Sequence, residues 1–165
     1  MSVKVVGIDP GLAATGIGII TGTGHKVNSF AFGVVKTTSQ TPLAVRLEQI
    51  YNRLCDLFAD ENPDLLVIED VFSLDKYPRS GISLGQVSGV ILLASRKADV
   101  TVCPIAVREA KQVLTGNGNA SKDQLEKSVR SVLACKQPIR PYHASDALGL
   151  ALIGLFRYGG SQHLR

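Results

Sequence analysis

The chain has 165 residues, 45% of them hydrophobic, and a formal net charge of +4. That length suits a single domain, residues 1–165, with a sizeable core, and no low-complexity stretch interrupts it. No apolar run is long enough to span a bilayer and the N-terminus lacks the pattern of a secretory signal, so a cytoplasmic protein without a membrane partner is expected.

Val3 to Asp9 reads as a first strand, and Thr15–Thr21 and Val27–Lys36 as two more joined by the turn Gly22-Thr23-Gly24-His25, an antiparallel meander. Leu43–Phe58 carries apolar residues near helical period and stops at Asn62-Pro63, after which Asp64–Glu69 supplies a fourth strand. Residues 73–83 are expected to be a mobile loop, followed by a mostly apolar helix from Leu84 to about Ala98 and a fifth strand in "VTVCPI". Short helices divided by the loop "TGNGNAS" come next, then a last helix from about His143 to Tyr158 that Gly159-Gly160 ends, leaving the tail from about residue 159 open to disorder. The expected fold is an α/β layered domain: a mixed, five-stranded central sheet flanked by helices.

The charge is unevenly placed. Residues 106–140 hold seven basic side chains (Arg108, Lys111, Lys122, Lys127, Arg130, Lys136, Arg140) against three acids (Glu109, Asp123, Glu126), while the remainder balances at eleven of each. A polyanion suits such a segment, although solvated helix faces explain the charge equally well on its own. Cys55, Cys103 and Cys135 are odd in number and widely spaced, which excludes a disulfide framework or a zinc cluster and leaves buried thiols.

An acid ends each of two buried strands, Asp9 and Glu69, and neighbouring strands would bring the two carboxylates together. His143 and Asp146, three residues apart, share a face of an otherwise apolar helix. Each has a plainer reading: Asp9 as a turn cap, His143 as a satisfied core histidine, Asp146 as a helix-dipole partner. Asp70 rivals Glu69, since adjacent strand residues face opposite sides and periodicity does not choose between them. Together the four favour a carboxylate site whose repulsion divalent cations relieve, magnesium above all, and a pair of such ions suits phosphodiester hydrolysis.

In "GIDPGLAATGIGII", "IEDVF", "SLGQVSGV", "VREAKQVLTGNGNASKDQL" and "HASDALGLAL", taken in order over essentially the whole chain, the sequence resembles the RuvC family of bacterial Holliday-junction resolvases. The resemblance implies a ribonuclease-H-like fold and an endonuclease of DNA recombination and repair. It would resolve four-way junctions by paired symmetric nicks, leaving 5′-phosphate and 3′-hydroxyl ends, with two magnesium ions per site. It implies Asp9, Glu69 (in preference to Asp70), His143 and Asp146 as catalytic metal ligands. Lys111 and Lys122 match basic residues beside the scissile phosphate, and Phe72 matches an aromatic set against the junction's bases.

Arg108, Lys76 and Arg79 are further DNA-contact candidates, the last two in a loop that departs from the family pattern. Family members carry aspartate or histidine where this chain has His143; the softer imidazole predicts manganese tolerance and loss of activity as it protonates. The resemblance also implies a homodimer, for which the helix from Leu84 offers Gly85 and Gly89 beside Val90, Ile91 and Leu93, and partnership with the RuvA–RuvB branch-migration helicase complex. Two rivals remain: a nucleotide-binding kinase or ATPase of the actin and sugar-kinase type, for which the chain is short, and a junction-binding dimer without catalysis.

Overall fold

A computed structural model describes residues 1–70 and 78–159, with the helical backbone alone for residues 78–80. The elements are β1 (Val3–Asp9), β2 (Ala14–Thr23), β3 (Lys26–Lys36), α1 (Leu43–Glu61), β4 (Leu65–Glu69), α2 (Pro78–Lys97), β5 (Thr101–Ile105), α3 (Val107–Thr115), α4 (Lys122–Val132) and α5 (Tyr142–Tyr158). They build one five-stranded mixed sheet in the order β3-β2-β1-β4-β5, antiparallel in the meander and parallel from β1 to β4 and from β4 to β5.

Alternation along the strands splits the core into two layers. Val5, Ile20, Leu65 and Val67 join the cluster that contains Leu148, Leu152 and Leu155 of α5 together with side chains of α3 and α4. Val6, Ile8, Ile17, Leu66 and Ile68 join Ile50, Leu54 and Phe58 of α1 and Val87, Ile91 and Ala94 of α2 on the other face.

Helix α5 is buried from Ala144 to Leu155, save Asp146, because it is apolar nearly all round. It lies unusually close to the sheet. A Cβ added to Gly7 or Gly18 would run into the backbone of α5 at Ala147 or Leu148, and one on Gly16 would overlap the carbonyl of His143. The glycines of "GIDPGLAATGIGII" therefore seat the first turns of α5 directly on β1 and β2.

The expected order of elements is the observed one, with one correction. Residues 78–83, expected to belong to a mobile loop, form the first turns of α2. Proline is tolerated at the first helical position, where its missing N–H has no partner to lose, so Pro78 opens this helix. Residues 71–77, which include the start of that loop, and the tail 160–165 lie outside the described residues. The three thiols are free and half-buried, since each sits near the rim of a packed layer, with Cys103 Sγ 3.4 Å from the Tyr158 hydroxyl. No helix among the described residues is long and apolar enough to cross a membrane.

Candidate active site

β1 and β4 are parallel neighbours in the register Val5↔Leu65 through Ile8↔Ile68, which continued by one residue sets Asp9 opposite Glu69. Both share the parity of Val5 and Leu65, so both carboxylates emerge on the face covered by α5. Parity separates Glu69 from Asp70, whose N–H donates to the Ile105 carbonyl at 2.9 Å and extends the backbone ladder. From the opposite side, the first turns of α5 present His143 and Asp146. His143 Nδ1 lies 2.6 Å from Asp9 Oδ2, although the two residues are far apart in sequence.

Four ionisable groups from three elements thus meet at the C-terminal edge of the strands. Burial pushes the Glu69 carboxyl up to about 8, helped by its hydrogen bond with Asp9 and by the charges of Asp9 and Asp146, with Lys122 opposing. Burial also raises Asp146 to about 6, reinforced by Asp9 and opposed by Lys122, His143 and Lys111. The hydrogen bond to Asp9 raises His143 above its ordinary value against the effect of burial. Asp9 thus stands between His143 on one side and Glu69 on the other, in hydrogen-bond contact with both.

The cluster is unfinished in one respect. Asp146 Oδ1 is buried with no hydrogen-bond partner among the described residues, a costly state for a carboxylate oxygen. Among the described residues no three acidic, histidine or cysteine side chains are already gathered into one coordination sphere. Hydrogen bonds of Asp9 with Glu69 and His143 hold the groups in the arrangement seen. The donor set, three carboxylates and an imidazole with an orphaned buried oxygen, fits a hard divalent cation that would offset the repulsion among the carboxylates.

The basic segment borders this cluster. Lys122 opens α4, and its charge acts on Glu69, His143 and Asp146; Lys111 of α3 acts on Asp146. The connection between the two helices is well specified. Gly116 caps α3 in the left-handed conformation, Gln112 Oε1 accepts from Gly118 N–H, and Ser121 with Gln124 closes a capping box on α4. Arg108 is exposed in the first turn of α3, its stem lying against Gly118. Arg79 belongs to the first turn of α2, whereas Phe72 and Lys76 lie outside the described residues.

Glu126 and Arg140 are the residues that sequence reasoning missed. A charge tally counts Glu126 as one of three acids, yet it is only 1% exposed. The available signal was its place between Leu125 and Val129, on the apolar arc of α4. Arg140 lies over the Tyr142 ring at 4.2 Å, directly before His143.

The chain is similar to known proteins over nearly its whole length. The sequence model described as crossover junction endodeoxyribonuclease RuvC matches residues 5–154. The protein of that name from Chlorobium phaeovibrioides is 38% identical over 98% of this chain and 85% of its own length. Its counterpart from Prosthecochloris aestuarii is 37% identical over 92% of this chain and 80% of its own. Among solved structures, Thermus thermophilus RuvC in complex with a Holliday junction substrate superposes with a TM-score of 0.86 at 31% identity, covering 94% of each chain. The sheet order and flanking helices are those of the ribonuclease-H-like fold.

Proposed function

Because the chain belongs to the RuvC family of crossover junction endodeoxyribonucleases, we propose that it resolves four-way DNA junctions by paired symmetric nicks, hydrolysing one phosphodiester on each of two strands. One observation carries this reading: Asp9, Glu69, His143 and Asp146 meet from β1, β4 and α5 beside Lys122 and Lys111. The Thermus thermophilus relative, solved with a Holliday junction substrate, supports the choice of DNA.

Asp9, Glu69 and Asp146, with His143 as the fourth ligand, would hold two magnesium ions, and the imidazole makes manganese an acceptable substitute. When bound, such ions lower the pKa of an attacking water and offset charge on the departing 3′ oxygen. The protein's own groups do the rest. Asp9 takes part from the centre of the cluster, bonded to both Glu69 and His143. Lys122 moderates the repulsion among the carboxylates and, with Lys111, faces the phosphate whose charge grows during cleavage. Arg108, Arg79, Lys76 and Phe72 are assigned to contacts with the junction by family resemblance, Phe72 as a ring on which a base would stack.

Two identical nicks require two identical sites, and α2 supports a two-fold dimer. Its inner face buries Val87, Ile91 and Ala94, while Ile82, Gly85, Gly89, Leu92 and Leu93 form an exposed stripe. Ile91, expected beside the glycines at the interface, belongs instead to the core. Among the described residues nothing lies within 4 Å of a Cβ built on Gly85 or Gly89, leaving room for a second helix to approach. Partnership with a RuvA–RuvB helicase rests on family membership.

The test is a labelled four-way junction incubated with magnesium or manganese and analysed for strand ends. The expected products are symmetric nicks with 5′-phosphate and 3′-hydroxyl ends. Asp9→Asn should abolish cleavage and leave junction binding intact; equal loss of both would show that Asp9 serves the fold rather than the chemistry.

A further inference from the structure

The geometry points to Glu126 as a positioning residue that locks α4, and with it Lys122, to the segment that delivers His143 and Asp146 to the site. This builds on the nuclease reading above and concerns a side chain that touches neither substrate nor ligand.

Glu126 is the buried carboxylate of α4, 1% exposed. Its Oε1 accepts the main-chain N–H of Ile139 at 2.9 Å, across the bend between α4 and α5. Arg130 Nε, buried and not aligned for a hydrogen bond, lies 3.1 Å from the same oxygen, and Arg140 Nη1 lies 3.9 Å from Oε2. One carboxylate therefore ties the middle of α4 to residues 139 and 140. Ile139 is itself fully buried, which fixes the anchored end.

The two ends of this tie are the two halves of the site. Lys122, one helical turn before Glu126 in α4, acts on Glu69, His143 and Asp146. His143 follows Ile139 by four residues, and its imidazole meets Asp9. Leu125 and Val129 of α4 and its C-cap Leu133 share an apolar cluster with α5. Apolar contacts tolerate small sliding, whereas a hydrogen bond to a specific main-chain N–H sets one register. Losing the carboxylate would leave a buried N–H unpaired and let Lys122 shift relative to the carboxylates it steadies.

The experiment compares single-turnover cleavage of a saturating four-way junction by the parent, Glu126→Leu, Glu126→Gln and Lys122→Ala, with the folded fraction of each measured by denaturant titration. Glu126→Leu is expected to slow cleavage about 10- to 100-fold per folded molecule, as loss of an orienting partner does elsewhere, with junction affinity unchanged. Glu126→Gln retains an acceptor for the Ile139 N–H and should restore most of the rate. Combined with Lys122→Ala, Glu126→Leu should add little further loss, because both act through the same lysine. Should Glu126→Leu not fold, Glu126→Asp, which keeps the charge and shortens the reach, carries the same comparison.

An unchanged rate per folded molecule, or losses that multiply in the double variant, would overturn the proposal. Nicking by the parent with a fully active Lys122→Ala protein would do so as well. A parent that cannot nick the junction at all would remove the nuclease reading and this proposal with it.

Discussion

At the scale of single residues, the cluster has a pH signature opposite to that of an ordinary surface acid. Glu69, held near 8, and His143, held above its usual value, both bind protons more tightly folded than unfolded. Their contribution to stability is complete below the unfolded values and is lost as pH rises through the folded ones. Metal-free protein should therefore unfold at lower denaturant concentration at about pH 9 than at about pH 6, and Glu69→Gln should flatten the difference. Magnesium should raise the midpoint more at the higher pH, since protons and cations compete for the same oxygens. The same competition predicts that cleavage falls on acidification from a point above 6.5, because the bond to Asp9 favours the protonated imidazole. Lys111→Ala should lower the salt dependence of junction binding by roughly one unit of slope, read from titrations at several salt concentrations. The pairing of Asp9 with His143 could not be read from spacing, since nothing in a linear pattern says which helix turn lies over which strand end.

At the scale of elements, the site depends on how closely α5 approaches β1 and β2. Gly18→Val would place a branched side chain in the backbone of α5 at Leu148, and overpacking of this kind costs roughly 1–3 kcal/mol. Denaturant titration should show that loss, and cleavage should fall further than stability alone accounts for, because His143 and Asp146 move with the helix. Most elements were legible because period-two alternation and long amphipathic or apolar runs survive in one dimension: β1 was read to its final residue. Two features were not. The start of α2 hid behind Pro78, which reads as a loop until one asks whether its missing N–H is needed. The choice of Glu69 over Asp70 comes from family resemblance and not from periodicity, because it turns on strand parity relative to β1, a fact about pairing rather than about either strand.

At the scale of the whole molecule, the proposed function assigns cutting to the site edge and assembly to the exposed stripe of α2. Leu93→Glu puts a charge in that stripe, at a residue that is 53% exposed. Sedimentation should show the variant as a monomer with parental stability, and its nicks should become unpaired; a dimer that persists would place the interface elsewhere. Helix α5 supplies half of the gathered ionisable groups and the centre of one core layer, yet it follows the strands it covers by more than seventy residues. The layer between β1, β4 and α5 therefore stays open during synthesis until residues 142–158 have been made and have settled onto strands formed long before. Asp9 and Glu69 meet their helical partners only at that moment, so the cluster assembles late, as a by-product of closing the core.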